Sequence, residues 1–192
     1  MMESDFREDI RQAVEVLKKG GIILYPTDTI WGIGCDAANA EAVARIYQLK
    51  KRENSRSMLV LMENPNLLNS YIGEVPEVAW ELVDVADKPL TIVYPGAKNL
   101  AGNLIAEDGS IGIRISGEPF TQQLIQRFRR PIVSTSANIS SEPAPAFFDE
   151  ISREIIDGVD YVVRYRQDDR TPALPSGIIK LGVNGEIQIL RK

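Results

Sequence analysis

No histidine occurs among the 192 residues, which removes the commonest general base, the Ser-His-Asp arrangement and most zinc sites from consideration. Cysteine is almost as scarce. The single Cys35 excludes an intramolecular disulfide, fits a reducing compartment and reads as a small buried apolar residue. Long apolar runs are missing as well: nothing approaches the roughly 20 residues that span a bilayer, and the N-terminus lacks the basic start and apolar stretch of a signal peptide. The expected location is the cytoplasm. Low-complexity tracts and internal repeats are absent, and a net charge of −5 argues against broad electrostatic adhesion to nucleic acid while leaving room for a local basic patch.

What is present is the composition of a folded globular chain, 44% hydrophobic and 26% charged, of a length suited to one domain over residues 1–192. Phe6, Ile10, Ala13, Val14 and Leu17 recur at helical spacing before Gly20-Gly21, predicting a helix over 5–19. Further helices are expected over 40–51, with Asn39 as N-cap, over 76–86, and over 118–129. Short apolar runs predict strands over 22–25, 58–62, 90–94, 111–115 and 131–135. At the C-terminal end, runs 178–181 and 186–190 flank Gly182-Val183-Asn184-Gly185, a hairpin signal. Helices and strands interleave with junctions too short for parallel crossovers alone, so the expected fold is α/β with a mixed twisted sheet. Stretches 140–147 and 167–176 read as loops beside a cleft.

Three segments place polar groups beside apolar runs: Pro26-Thr27-Asp28-Thr29 through Gly34, Lys50-Lys51-Arg52, and Ser134-Thr135-Ser136-Ala137-Asn138. In open α/β sheets, crevices at strand ends bind ligands. Each segment also has a purely structural reading, as a turn, a solvated helix end and an N-cap cluster. Trp31 reads as packing and Asp28 as a turn carboxylate. Residue chemistry alone stops at a candidate phosphate site.

Taken together and in this order, the segments resemble the YrdC family, with its Pro-Thr-x-Thr-x-x-Gly-x-Gly, Lys-x-Arg and Ser-x-Asn motifs at Pro26–Gly34, Lys50/Arg52 and Ser136/Asn138. The resemblance extends through Pro89-Leu90-Thr91, Gly112-Ile113-Arg114 and Ser176 to Arg191. It implies a twisted mixed sheet with flanking helices and a large concave cavity. The implied activity is L-threonylcarbamoyladenylate synthesis from L-threonine, bicarbonate or CO2, and ATP with Mg2+, serving N6-threonylcarbamoyladenosine formation in tRNA. The implied partners are tRNA or double-stranded RNA and downstream threonylcarbamoyl transferase proteins. Chemistry of this kind rests on positioning and charge stabilisation, so the missing histidine is no objection.

By the same resemblance, Lys50 and Arg52 hold the ATP phosphates and stabilise the leaving pyrophosphate, with Ser136, Asn138 and Arg191 near the nucleotide. Arg114 pairs with the threonine carboxylate, amid Thr29, Ser134 and Ser176; the alternative for Arg114 is a solvent-facing strand position. Three departures stand out. Leu61 falls where relatives carry a strand histidine, Gly177 follows Ser176 in place of threonine, and Val85-Ala86-Asp87-Lys88-Pro89 replaces a Trp-Pro-Gly-Pro stretch. Arg56, in the divergent segment after Arg52, is read as an added phosphate contact or an exposed arginine. The competing expectation is a non-catalytic RNA-binding or nucleotide-binding regulatory paralogue.

Overall fold

The computed structural model describes residues 6–51 and 58–192. Nine strands form one sheet in the order β7-β1-β2-β6-β3-β5-β4-β8-β9. They are β1 Ile23–Tyr25, β2 Gly32–Gly34, β3 Leu59–Met62, β4 Leu90–Tyr94, β5 Ile111–Ile115, β6 Ile132–Ser136, β7 Tyr161–Val162, β8 Gly177–Leu181 and β9 Ile187–Arg191. The helices are α1 Arg7–Lys18, α2 Ala40–Leu49, α3 Leu68–Tyr71, α4 Glu77–Val85, α5 Pro119–Phe128 and α6 Arg153–Gly158. The sheet is mixed as expected: β1/β7, β3/β5 and β4/β8 pair in parallel and the other neighbours antiparallel.

Local chemistry sets the helix limits. Asn39 caps α2 by accepting from Ala42 N at 3.0 Å. At α5 the Glu118 carboxylate accepts from Thr121 N at 2.7 Å, Pro119 occupies the first turn, and Arg129 ends the helix in the left-handed region at φ 63°.

Side chains alternate across each strand, so the register sorts the sheet into two faces. On one face lie Ile23, Tyr25, Gly32, Ser134, Leu59, Leu61, Gly112, Arg114 and Thr91, linked by pairings such as Tyr25↔Gly32, Leu59↔Ser134, Leu61↔Arg114 and Thr91↔Arg114. Helices α1 and α5 cover only part of it, packing Phe6, Ile10, Leu17, Phe120 and Leu124 against Ile23, Tyr25, Leu61 and Ile132. The remainder is the floor of a cavity. The opposite face carries the larger core, in which Leu24, Ile33, Val60, Ile92 and Ile113 meet Val43 and Ile46 of α2.

Four elements escaped the sequence reading: β2, β7, α3 and α6. The Gly-Ile-Gly segment of β2 has low strand propensity, and β7 is two residues long, held by Asp160 N and Val163 N donating to Ile22 O and Leu24 O at 2.9 Å each. The expected strand 131–135 begins and ends one residue later, and the terminal hairpin forms as β8–β9 with an irregularity between Ile178 and Ile179.

Candidate active site

The uncovered part of the sheet forms a cavity of about 380 Å³. Its floor is low because two strand positions facing it are glycines. A Cβ at Gly32 would stand 3.1 Å from Ser134 Oγ, and one at Gly112 would stand 3.3 Å from Thr91 Cγ2, so any side chain there would occupy the space a ligand needs.

Arg114 projects from β5 into this space and is 3% exposed, which excludes the solvent-facing alternative. Its Nη2 donates to Thr29 Oγ1 at 3.2 Å and lies 3.0 Å from Asp28 Oδ1, while its Nε is buried without a hydrogen-bond partner among the described residues. A buried guanidinium with an unused donor in a cavity is suited to an anionic ligand. Thr29 is fixed in turn by Thr27, whose Oγ1 accepts from Thr29 N at 3.0 Å and donates to Ile30 O at 2.8 Å. The loop from Pro26 is anchored from outside: Thr121 Oγ1 donates to Pro26 O and Arg166 Nη1 to Thr27 O, both at 3.2 Å.

A second cation closes the rim. Arg191, at the end of β9, donates through Nε to Ser176 O at 2.8 Å, and Ser176 Oγ shares a 2.8 Å hydrogen bond with Thr91 Oγ1. Partial burial and the neighbouring Arg114 charge hold the Arg191 guanidinium below its ordinary pKa, and the two cations line the same cavity. Burial also pushes the Tyr25 phenol upward, leaving it a neutral donor to Val133 O at 3.1 Å.

Thr29, Arg114, Ser134, Ser136, Ser176 and Arg191 thus line one cavity. Lys50 and Asn138 stand behind its wall. The Lys50 side chain is buried at the C-cap of α2, where Nζ donates to Ser136 O and, at 2.6 Å, to Asn138 O. Asn138 Nδ2 donates to Ile139 O at 3.0 Å and Glu142 O at 2.7 Å, and its Oδ1 is buried without a partner among the described residues. The loop after β6 thus folds over Lys50, beside the cavity that Ser136 lines. Arg52 and Arg56 lie outside the described residues.

Comparison with known proteins agrees with this architecture. A family model described as "Telomere recombination", for Sua5, YciO and YrdC proteins, matches residues 15–192. The chain belongs to the Sua5/YciO/YrdC family. A Vibrio cholerae relative named threonylcarbamoyl-AMP synthase is 30% identical over 166 residues, covering 85% of this chain and 88% of its own. One of the same name from Pseudoalteromonas translucida is 30% identical over 181 residues, 93% of this chain and 95% of its own. The structure of P. abyssi Sua5 complexed with L-threonine superposes with a TM-score of 0.81 at 24% identity over 91% of this chain; the chain spans 51% of that protein.

Against the Sua5/YciO/YrdC frame, Leu61 is next to Arg114 on the same face but fully buried under α5, in the apolar cluster with Tyr25 and Leu124. The sequence reading missed Thr91, Gly112 and the pairing of Asp28 with Arg114. The alternation of polar Thr91 and Arg114 in otherwise apolar strands was the available signal. Trp31 serves packing as expected, its ring 4.9 Å from Phe148, and it also forms cavity wall.

Proposed function

We propose that this chain is an L-threonylcarbamoyladenylate synthase, joining L-threonine, bicarbonate or CO2, and ATP to give threonylcarbamoyl-AMP and pyrophosphate for N6-threonylcarbamoyladenosine formation in tRNA. The observation that carries the reading is the pair of guanidiniums, Arg114 and Arg191, facing one cavity lined by the hydroxyls of Thr29, Ser134 and Ser176. Relatives of nearly the same length carry the corresponding name.

In this reading the threonine carboxylate takes the unused Arg114 donor, and the surrounding hydroxyls orient its amine and side chain. The amine is carboxylated, and the carbamate oxygen attacks the α-phosphorus of ATP as the bond to pyrophosphate breaks. No protein nucleophile is required. Lys50, by holding the carbonyls of Ser136 and Asn138, shapes the turn that receives the nucleotide and lends it positive charge, with Arg52, Arg56 and Arg191 contributing to phosphate binding. Magnesium arrives with ATP as part of the substrate; among the described residues no group of three or more His, Cys, Asp or Glu side chains offers it a resident cage. Transfer RNA and the proteins that pass the threonylcarbamoyl group onward are the partners this role requires.

Calorimetric titration with L-threonine tests the site. Saturable binding to the wild-type chain that weakens at least about tenfold in Arg114→Lys, which keeps the charge but loses the fork, is the expected result. Equal affinity in the two chains would remove Arg114 from the threonine site.

A further inference from the structure

A second cavity, of about 340 Å³, opens on the opposite face of the sheet beneath α4. Its walls are apolar: Val83 of α4, Leu90 and Ile92 of β4, and Ile113 and Ile115 of β5. The volume lies at the lower end of the range of about 300–1,000 Å³ typical of small-molecule pockets. Helix α4 rests loosely above it, with Ala79 its single buried residue.

Two polar groups stand in this wall. The Tyr94 phenol belongs to a residue 1% exposed, and burial alone raises its pKa. Asp28 is the more telling. Its side chain is nine-tenths buried; Oδ1 forms a 3.0 Å ion pair with Arg114 Nη2 yet makes no aligned hydrogen bond among the described residues. Other polar groups nearby are satisfied, since Gln122 Nε2 donates to Ser116 O at 2.9 Å and Ser116 Oγ accepts from Glu118 N at 3.3 Å. An under-satisfied buried carboxylate costs free energy that a donor entering the cavity would recover. At the mouth, exposed Asp87 and Lys88 carry opposite charges and offset one another.

We propose that this second cavity is a binding site for a small organic amine, its ammonium donating to Asp28 and its apolar body lying between α4 and the β4–β5 strands. An ammonium is favoured over a neutral donor because it makes a charge-assisted bond to Asp28. The cavity opens across the sheet from the one assigned to threonine and ATP, with the Asp28–Arg114 ion pair standing between the two, and its ligand goes beyond that function.

The probe is 2-phenylethylamine, with 2-phenylethanol as its neutral counterpart of similar shape, titrated into the full ¹⁵N-labelled chain without threonine or ATP while amide shifts are followed. Saturable shifts at Val83, Ile92, Ile113 and Ile115 are expected, with the amine binding at least about tenfold more tightly than the alcohol. Asp28→Asn should abolish that preference, and Ala86→Phe, placed at the mouth, should weaken both ligands. Non-saturating shifts, equal affinity of amine and alcohol, or shifts confined to the threonine cavity would overturn the proposal. Should Asp28→Asn fail to fold, the amine–alcohol comparison and Ala86→Phe decide it. Because neither substrate is present, the outcome is independent of whether the chain makes threonylcarbamoyl-AMP.

Discussion

Lys50 and Arg114 are the two most deeply buried cations among the described residues, and burial changes what their removal does. Lys50 is 1% exposed and its ammonium serves two backbone carbonyls. Truncation leaves Asn138 O without that donor, at about 1–3 kcal/mol for a buried unsatisfied group, while Ser136 O keeps the Asn138 N–H at 2.9 Å. Lys50→Ala is therefore expected to lose turnover and to melt at a lower temperature by calorimetry; an unchanged melting temperature would show that the loop after β6 does not depend on it. For Arg114 the split between substrates is diagnostic. Arg114→Lys should raise the KM for threonine at least about tenfold while leaving the KM for ATP nearly unchanged. An equal rise in both would make Arg114 a general electrostatic contributor. The sequence made Arg114 visible as a charge inside an apolar strand, whereas Lys50 in Lys-Lys-Arg looked like a solvated helix end, because nothing local signals that a loop some 86 residues distant will cover it.

At the scale of elements, two loops frame the cavity mouth and hold each other. Arg170 of the 167–176 stretch makes a bidentate pair with Asp149, at 2.6 and 2.8 Å, and its guanidinium lies 5.4 Å from the Phe147 ring centroid. Ala144 and Pro175 of the same loops line the cavity. Pairs this exposed are worth at most about 1 kcal/mol, so the clasp can open for substrate entry and close over it. Arg170→Ala should speed proteolytic cleavage within 140–147 and 167–176, and threonine with ATP should slow cleavage of the wild-type chain; identical cleavage in all three conditions would dismiss the clasp.

Helix α5 offers a pH test. Glu118 is buried at its N-terminus, and desolvation raises its pKa above the ordinary 4.5, so the ionised form is less favourable in the folded chain than in the unfolded one. The stability tied to its protonated form is complete below 4.5 and is lost as pH rises through the higher folded value. Glu118→Gln, which keeps an acceptor for Thr121 N, should therefore raise the melting temperature at neutral pH, the gain vanishing below the ordinary carboxylate range. A gain that persists at low pH would point to another cause.

Across the whole molecule, the sheet divides its two faces between tasks: one side carries the larger core, and the other is half covered by α1 and α5 and half left open over Gly32, Gly112 and Arg114. The strands most legible in the sequence, β4 and β5, are central and largely apolar, broken by Thr91 and Arg114, and their limits coincide with the expected ones. Those hidden from it, β2 and β7, are strands by virtue of their neighbours, and β2 is glycine-rich because its residues floor a cavity. The cavity residues Thr29, Arg114, Ser134 and Ser176 were legible through the family resemblance. The cavity under α4 was not, since it arises from how loosely a helix settles on a sheet.

The central claim is that this cavity makes threonylcarbamoyl-AMP. Pyrophosphate release from ATP in bicarbonate buffer, measured with and without L-threonine while mass spectrometry follows the same reaction, tests it most directly. Threonine-dependent release with threonylcarbamoyl-AMP accumulating in step is the predicted result. Release indifferent to threonine, or ATP binding with no such product, would contradict it.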